Sequence, residues 1–423
     1  MQKIISSILL IASLFLLLLT MAANTNAKLS SLPPFCGITP SNSPDGQNIS
    51  GKDFSISSKS SKPSGMYSRA YCLLDADSGR TLLGENEDQQ MPMASTTKIM
   101  TCIIALENSD LNGKVSVSPY AASMPDVQLN MQSGDTFYLK DLLYSLMLES
   151  HNDTAVAIAE AVGGTVEGFA DLMNQKAEEL GCTKTHFVTP NGLDAKEHYT
   201  TARELCIIAS YAIQNEKFLK IIQTRSHRFS NCNGTRSYSV NNHDAFLSSY
   251  SGAIGIKTGF TGKAGYCFCG AAKRDGKTLI TSVLACGWPP HKGYKWVDTK
   301  KLMDYGFANF ETVSLKPQKL PKTFPVSGGT QNTVAIKRAS SKPLSLMLCE
   351  SDKITVKYKL SNTLKAPVRQ GDILGYENYY LNKELLWKSP IIADGNVPER
   401  DWKYYAKMIK NIFFWNTTST FSS

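Results

Sequence analysis

Pro92-Met93-Ala94-Ser95-Thr96-Thr97-Lys98-Ile99-Met100-Thr101 is the stretch on which the reading of this chain turns. It sets a hydroxyl, Ser95, one helical turn ahead of an amine, Lys98, and opens an apolar helical pattern through Ile103, Ile104 and Leu106. Residues three apart share a helix face, so hydroxyl and amine point the same way. A serine at a helix start commonly serves only as an N-cap. A serine beside a base is also the arrangement of an activated nucleophile, and two later stretches favour that reading. Ser150-His151-Asn152 adds a second hydroxyl and an amide, and Lys257-Thr258-Gly259 a cation, a small hydroxyl and a glycine. Each pattern alone recurs by chance. In this order they read as a serine acyltransferase that recognises a carboxylate-bearing substrate.

The chemistry assigns a part to each residue. A serine hydroxyl attacks poorly until a base takes its proton. In Ser95-x-x-Lys98 that base is an amine, which must be neutral to act; burial and a nearby cation such as Lys257 both lower a lysine pKa. Ser150 is placed to relay a proton to the leaving amine. Asn152 is expected to hold Lys98 and to hydrogen-bond a substrate amide. Lys257 offers charge and Thr258 a directional donor to a carboxylate, and Gly259 lets a substrate lie against the strand edge. The backbone N–H groups of Ser95 and Phe260 are the expected oxyanion donors. No cofactor and no metal site are expected, because no cysteine has a CxxC partner.

Working outward, Ala70 to Asp75 and Thr81 to Leu83 read as a hairpin turning at Asp77-Ser78-Gly79. Helical patterns follow at 141–148, 155–162, 169–180 and 202–211, with Ser150-His151-Asn152 in the break between the first two. From Gly255 the texture changes to strands, Tyr266 to Cys269 and Leu279 to Leu284, separated by a turn at Arg274-Asp275-Gly276, before a closing helix around Met303 to Phe307. Strands at both ends with helices between predict an α+β fold, one antiparallel sheet built from both termini of the domain with a helical cluster beside it. Short alternating runs punctuated by Pro and Gly then predict a small all-β, sandwich-like domain over 311–397.

The ends of the chain carry addresses rather than chemistry. Lys3, the apolar run Ile4 to Leu19 and the small residues that follow read as a signal peptide over 1–27, hence as export to the outer face of the cytoplasmic membrane or the cell wall. The Ser-, Pro- and Gly-rich segment 28–66 reads as a linker. At the other end, 398–423 predicts an amphipathic helix and tail. Trp402, Tyr405, Met408, Ile409, Ile412 and Phe413 lie on one side of it and Lys403, Lys407 and Lys410 on the other. Such a helix suits the surface of an anionic bilayer; the alternative is that it packs on its own β domain. The net charge of +9 fits an anionic surface or a solvated basic face, and no basic run interleaved with aromatics suggests nucleic acid. The ten cysteines, in a chain read as exported, raise the question of disulfides. Cys72, Cys102, Cys206, Cys286 and Cys349 sit in apolar runs, where a free thiol behaves as a small hydrophobe. Cys267 and Cys269 flank one residue of a strand, so they share a face and are poorly placed to bridge each other.

With its three motifs, the segment 92–101, Thr189-Pro190-Asn191-Gly192-Leu193-Asp194 and the stretch from Lys257 to Asp275, the chain resembles the low-molecular-mass D-alanyl-D-alanine carboxypeptidases, serine peptidases of the S11 type. The resemblance covers 67–310 and implies a β-lactamase/transpeptidase-like catalytic domain. It implies cleavage of the terminal D-alanine from peptidoglycan stem pentapeptides through a Ser95 acyl-enzyme, and acylation of Ser95 by β-lactam antibiotics. The following β domain and terminal helix also match the family's usual layout. Two positions depart from the family pattern: His151 stands where many relatives carry Gly, and Phe260 where some carry His. A D,D-endopeptidase acting on cross-links uses the same residues. A class A β-lactamase carries Glu-x-x-x-Asn after the second motif, an arrangement that 181–204 lacks despite Asn191 and Glu197. A non-catalytic wall-binding protein would not need every reacting residue, yet all are present.

Overall fold

The computed structural model describes residues 47–50, 56–315, 319–340, 344–360 and 364–415. The expected signal peptide, Cys36 and the tail beyond 415 lie outside the described residues.

The catalytic region is organised by a five-stranded antiparallel sheet. Its strands are β1 (Ala70–Asp75), β2 (Thr81–Glu85), β3 (Ala253–Thr261), β4 (Gly265–Arg274) and β5 (Lys277–Leu284), in spatial order β2-β1-β5-β4-β3. Both ends of the region contribute, as expected. The β1–β2 hairpin turns where Asp77-Ser78-Gly79 predicts, with Gly79 at φ +71° and Tyr71 paired with Glu85. Every residue of β1 and of β5 is buried. These strands read as continuous apolar runs because both faces are covered. Cys72, Leu74 and Ile280 face the helical cluster, while Tyr71, Leu73, Leu279 and Val283 pack with Leu302 and Met303. The last two belong to the closing helix, Tyr294–Asn309, on the opposite side of the sheet.

At the centre of the cluster runs α1 (Lys98–Asn108), buried at every position from Lys98 to Leu106. A helix apolar all round is enclosed all round, and that enclosure removes Lys98 from solvent. Around it lie α2 (Leu139–Leu148), α3 (Asn152–Gly163), α4 (Val166–Glu179) and α5 (Ala202–Ala212). The break between α2 and α3 holds the second motif.

Beyond Phe310, a sheet in the order Gln47–Ser50, Lys353–Leu360, Ile373–Leu381, Glu384–Ala393, Thr333–Arg338, Thr323–Ser327, Leu364–Lys365 is covered by the ribbon Glu311–Leu315/Leu344–Leu348. Val313, Leu315, Leu346 and Leu348 of the ribbon pack on Ile354, Val356 and Tyr379 of the sheet. This is the sandwich-like arrangement expected. The linker reading of 28–66 requires correction. Gln47–Ser50 pairs antiparallel with Lys353–Val356, Ile56 is buried beneath the ribbon, and the Lys59 and Ser60 N–H groups donate to Asn309 Oδ1 at 2.9 and 3.0 Å. Main-chain hydrogen bonds do most of this tethering, so side-chain composition does not announce it.

The nine described cysteines are all free, seven of them buried, and Cys267 and Cys269 share one face in the helical-side core. Cys349 is only half-buried. The C-terminal helix α6 (Trp402–Trp415) forms where expected, and Trp402, Tyr405, Met408 and Ile409 on its apolar side are exposed. No helix among the described residues is long and apolar enough to cross a membrane.

Candidate active site

Ser95 is not a cap. It lies in a 3-10 turn, Ala94–Thr97, that precedes α1, and it makes no capping bond; its Oγ faces the Asn191 carbonyl at 3.4 Å and Lys98 Nζ at 3.0 Å. The turn is held from three sides. Thr97 Oγ1 donates to the Ala94 carbonyl at 2.8 Å and meets His198 Nε2 at 2.9 Å. His198 Nδ1 accepts from the Val188 N–H at 3.0 Å, so Nε2 carries the hydrogen and donates to Thr97. Gly192, at φ +84°, approaches so closely that a Cβ there would stand 2.0 Å from the Ala94 carbonyl oxygen.

Lys98 is fully buried. Its Nζ also contacts Asn152 Oδ1 at 2.9 Å and the Asn191 carbonyl at 2.6 Å. Burial holds its pKa well below the usual lysine range, the Lys257 charge pushes it the same way, and Asp153 opposes them. Asn152 begins α3, and its Nδ2 donates to the Pro125 and Asp126 carbonyls, both at 3.1 Å. Both amide hydrogens are therefore committed within the protein. Asn152 Oδ1 accepts from Lys98 Nζ, which is the contact with Lys98 expected of it. Asp153 fixes the same loop from behind, accepting from the N–H groups of Leu129 at 3.0 Å and Met131 at 3.2 Å.

Ser150 adopts a left-handed backbone, φ +70°, and its buried Oγ has no hydrogen-bond partner among the described residues. A buried polar atom without a partner costs about 1–3 kcal/mol, so each one in a native fold calls for an explanation. His151 is buried. Its Nδ1 meets Ser145 Oγ at 2.8 Å and its Nε2 lies 3.2 Å from Glu149; burial drives its pKa down to about 4 against the Glu149 charge.

The third motif lies on β3, the edge of the sheet beside the Ala94–Thr97 turn. Lys257 is buried, with its Nζ donating to the Thr258 carbonyl at 3.1 Å. Burial lowers its pKa to about 8 despite the opposing charge of Asp244. A Cβ on Gly259 would come within 3.0 Å of the Ser95 nitrogen. A glycine here thus lets the strand pass against the Ser95 amide. Thr258 is half-buried on β3, and the Phe260 side chain is exposed and rests on Tyr266 at 4.6 Å between ring centroids.

Sequence reasoning singled out the segment 189–194 but gave no role to Asn191, Gly192 or His198. Asn191 acts through its main-chain carbonyl, which no side-chain inventory reveals. The Asn191-Gly192 dipeptide is a turn signal, and that signal points to the residue whose positive φ the site requires.

A buried Ser–Lys pair beside an edge strand that presents a cation and a glycine defines a serine hydrolase of the acyl-enzyme class. Residues 57–287 match the family model described as D-alanyl-D-alanine carboxypeptidase, peptidase S11, and residues 310–399 match that of the penicillin-binding protein 5 C-terminal domain. The chain belongs to the S11 D-alanyl-D-alanine carboxypeptidase family. It is 29% identical to the D-alanyl-D-alanine carboxypeptidase DacF of Bacillus subtilis over 76% of this chain and 83% of that one. To the D-alanyl-D-alanine carboxypeptidase of Streptomyces sp. strain K15 it is 37% identical, over 54% of this chain and 84% of that one. Penicillin-binding protein 5 of Haemophilus influenzae superposes with a TM-score of 0.67 at 27% identity, covering 80% of this chain and all of that one. The protein is therefore a serine-type D-alanyl-D-alanine carboxypeptidase of the penicillin-binding class, acting on peptidoglycan at the cell envelope.

Proposed function

We propose that Ser95 is the nucleophile, Lys98 its general base, and Ser150 the relay that protonates the leaving D-alanine. The observation that carries this reading is the set of three contacts around Lys98 Nζ. A neutral amine has two hydrogens and one lone pair. Asn152 Oδ1 and the Asn191 carbonyl can only accept, so they take the two hydrogens. The lone pair is left facing the Ser95 hydroxyl, 3.0 Å away. The arrangement fits a base poised to take the Ser95 proton.

Attack on the D-alanyl-D-alanine carbonyl forms the Ser95 ester. The oxyanion is met by the N–H groups of Ser95 and Phe260, and stabilisation of this kind is worth about 10²–10³ in rate per donor. Ser150, whose Oγ lacks a partner, passes the proton to the departing amine. Lys257 and Thr258 bind the terminal carboxylate, and Gly259 lets the stem peptide lie along the edge of β3. A penicillin, carrying a carboxylate beside a strained amide, occupies the same groups and acylates the same serine. Asn152 positions Lys98, and His151 steadies the motif through Ser145 and Glu149.

The finer placement of the protein is part of the same proposal. The apolar run Ile4 to Leu19 supports export, and the exposed apolar residues of α6 support attachment to the outer face of the cytoplasmic membrane. The deciding experiment incubates purified protein with a muropeptide pentapeptide and with a cross-linked dimer, and weighs the products. Loss of one D-alanine from the pentapeptide is expected. Cleavage of the dimer alone would make the protein an endopeptidase, and no change in either would overturn the assignment.

A further inference from the structure

The C-terminal sheet has an outer face whose chemistry the catalytic reading leaves unused. Register places Lys357 opposite Asn378, and Asn378 opposite Lys388, across three neighbouring strands. In the next row Tyr376 stands opposite Pro390, and on the other side Tyr380 stands opposite Thr355. Alternate residues of a strand share a face, so Tyr376, Asn378 and Tyr380 form one line flanked by lysines. Ile354, Val356 and Tyr379 point the other way, into the core beneath the ribbon. Among Lys353–Leu360, Ile373–Leu381 and Glu384–Ala393, no aspartate or glutamate occupies a position on the outer face. Lys388 is exposed, Tyr376 is 40% exposed, and neither Lys357 nor Lys388 forms an ion pair among the described residues. Asn378 Oδ1 is buried and has no hydrogen-bond partner among them.

Each feature specifies a ligand group. Tyrosine rings spaced about 13 Å apart on a sheet present flat apolar faces, which suit the flat faces of pyranose rings. Ammonium groups with no acid beside them call for carboxylates or phosphates. An unpaired buried acceptor calls for a donor, a hydroxyl or an amide N–H. A phosphodiester chain answers the lysines alone, and a peptide offers no sugar face. A glycan strand with N-acetyl amides and carboxylate-ended stems answers all three.

We propose that this face binds the glycan strand of peptidoglycan, docking the polymer on the C-terminal domain while the catalytic domain works on its stems. The inference rests on the wall polymer being the substrate of the Ser95 site.

The test is co-sedimentation of the full chain, its active site first blocked with penicillin, with insoluble peptidoglycan freed of attached phosphodiester polymers by hydrofluoric acid. Unmodified protein is expected in the pellet. Tyr376→Ala combined with Lys357→Gln and Lys388→Gln should weaken binding by about tenfold. Lys357→Glu with Lys388→Glu should weaken it further, because the added charges repel the stems. Both variants should retain penicillin labelling and turn over a soluble pentapeptide within about twofold of the parent, which shows that they are folded. Equal sedimentation of variants and parent overturns the proposal. So does binding that vanishes on hydrofluoric acid treatment, which would make a phosphodiester polymer the ligand. Failure of the parent to cleave the soluble pentapeptide would instead refute the catalytic reading, whatever the sedimentation shows.

Discussion

Gly192 packs so tightly against Ala94 that a β-carbon at position 192 would lie 2.0 Å from the Ala94 carbonyl oxygen. Ala94 is the residue before Ser95 and itself has positive φ, +48°. Displacing its carbonyl therefore displaces Ser95. Gly192→Ala is expected to lower penicillin acylation by at least about 100-fold, as a misplacement of about 1 Å can. It should also destabilise the fold by about 2 kcal/mol or more, since both backbone strain and overlap oppose it. Gly181 provides the control. Its φ is +77°, yet a Cβ there meets nothing within 4 Å. Gly181→Ala should cost about 1–2 kcal/mol and leave acylation intact. Equal acylation rates in the two variants would break the link between Gly192 and the nucleophile.

Ser95→Ala removes the only hydroxyl within hydrogen-bonding distance of Lys98 Nζ among the described residues. D-alanine release is expected to fall by at least about 10⁴-fold, and covalent labelling by a fluorescent penicillin to disappear. Retained labelling would move the nucleophile elsewhere. Lys98→Arg tests the base separately. A guanidinium stays protonated, so the variant should bind substrate yet acylate too slowly to label within the time the parent needs.

The pH dependence follows from two lysines with opposite requirements. Lys98 must be neutral to accept the Ser95 proton, and burial, together with the Lys257 charge, favours that form by holding its pKa well below the usual lysine range. Lys257 must be charged to hold a carboxylate, and its pKa lies at about 8. The ratio kcat/KM should therefore rise on the acid side as Lys98 deprotonates and fall above about pH 8 as Lys257 does. Lys257→Arg removes the falling limb, because the arginine does not titrate there. A basic limb unchanged in that variant would show that another group causes it.

How far the sequence reached depends on which atoms do the work. The contacts that join Ser95, Lys98 and Asn152 run through side chains, so residue type and order pointed to them. Asn191 acts through a carbonyl and Gly192 through the absence of a side chain, so only folding reveals their place. The apolar run in β1 and the period in α1 announced strand and helix. What covers the second face of β1 had no such signature, because that cover, the helix Tyr294–Asn309, comes from more than 200 residues away. The segment 47–60 is tied down largely by backbone hydrogen bonds, which a composition rich in Ser and Pro conceals.

His198 gives a stability prediction with a definite sign. Burial holds its pKa at about 4, below the 6.5 of an exposed histidine. Between these values the unfolded chain binds a proton that the folded chain refuses, so stability rises with pH across the window and is lost as pH falls from 6.5 toward 4. One such group contributes up to about 3 kcal/mol, and His151, depressed to a similar value, adds in the same sense. Thermal melts should show Tm dropping through this range, and His198→Gln should flatten the dependence. An unchanged slope in that variant would assign the acid sensitivity to other groups.

The last prediction concerns α6, whose apolar residues Trp402, Tyr405, Met408 and Ile409 face solvent while Lys403 and Lys407 occupy the other side. The cut that isolates it must spare its neighbour. Arg400 donates from its backbone N–H to the Gly328 carbonyl at 2.9 Å and from Nε to the Gly329 carbonyl at 2.6 Å, so a chain ended at Asp401 keeps the β domain closed. That shortened protein should leave vesicles containing anionic lipid for the soluble fraction and cleave a soluble pentapeptide as before. In the full chain, Lys403→Gln with Lys407→Gln should weaken vesicle binding by about fivefold per lysine, equivalent to about 1 kcal/mol each. The loss should shrink as salt screens the surface charge. Trp402→Ala should weaken binding to neutral and anionic vesicles alike, because it removes buried apolar area rather than charge. If the shortened chain partitions as the full one does, α6 is not the anchor, and its exposed apolar side must meet a protein instead.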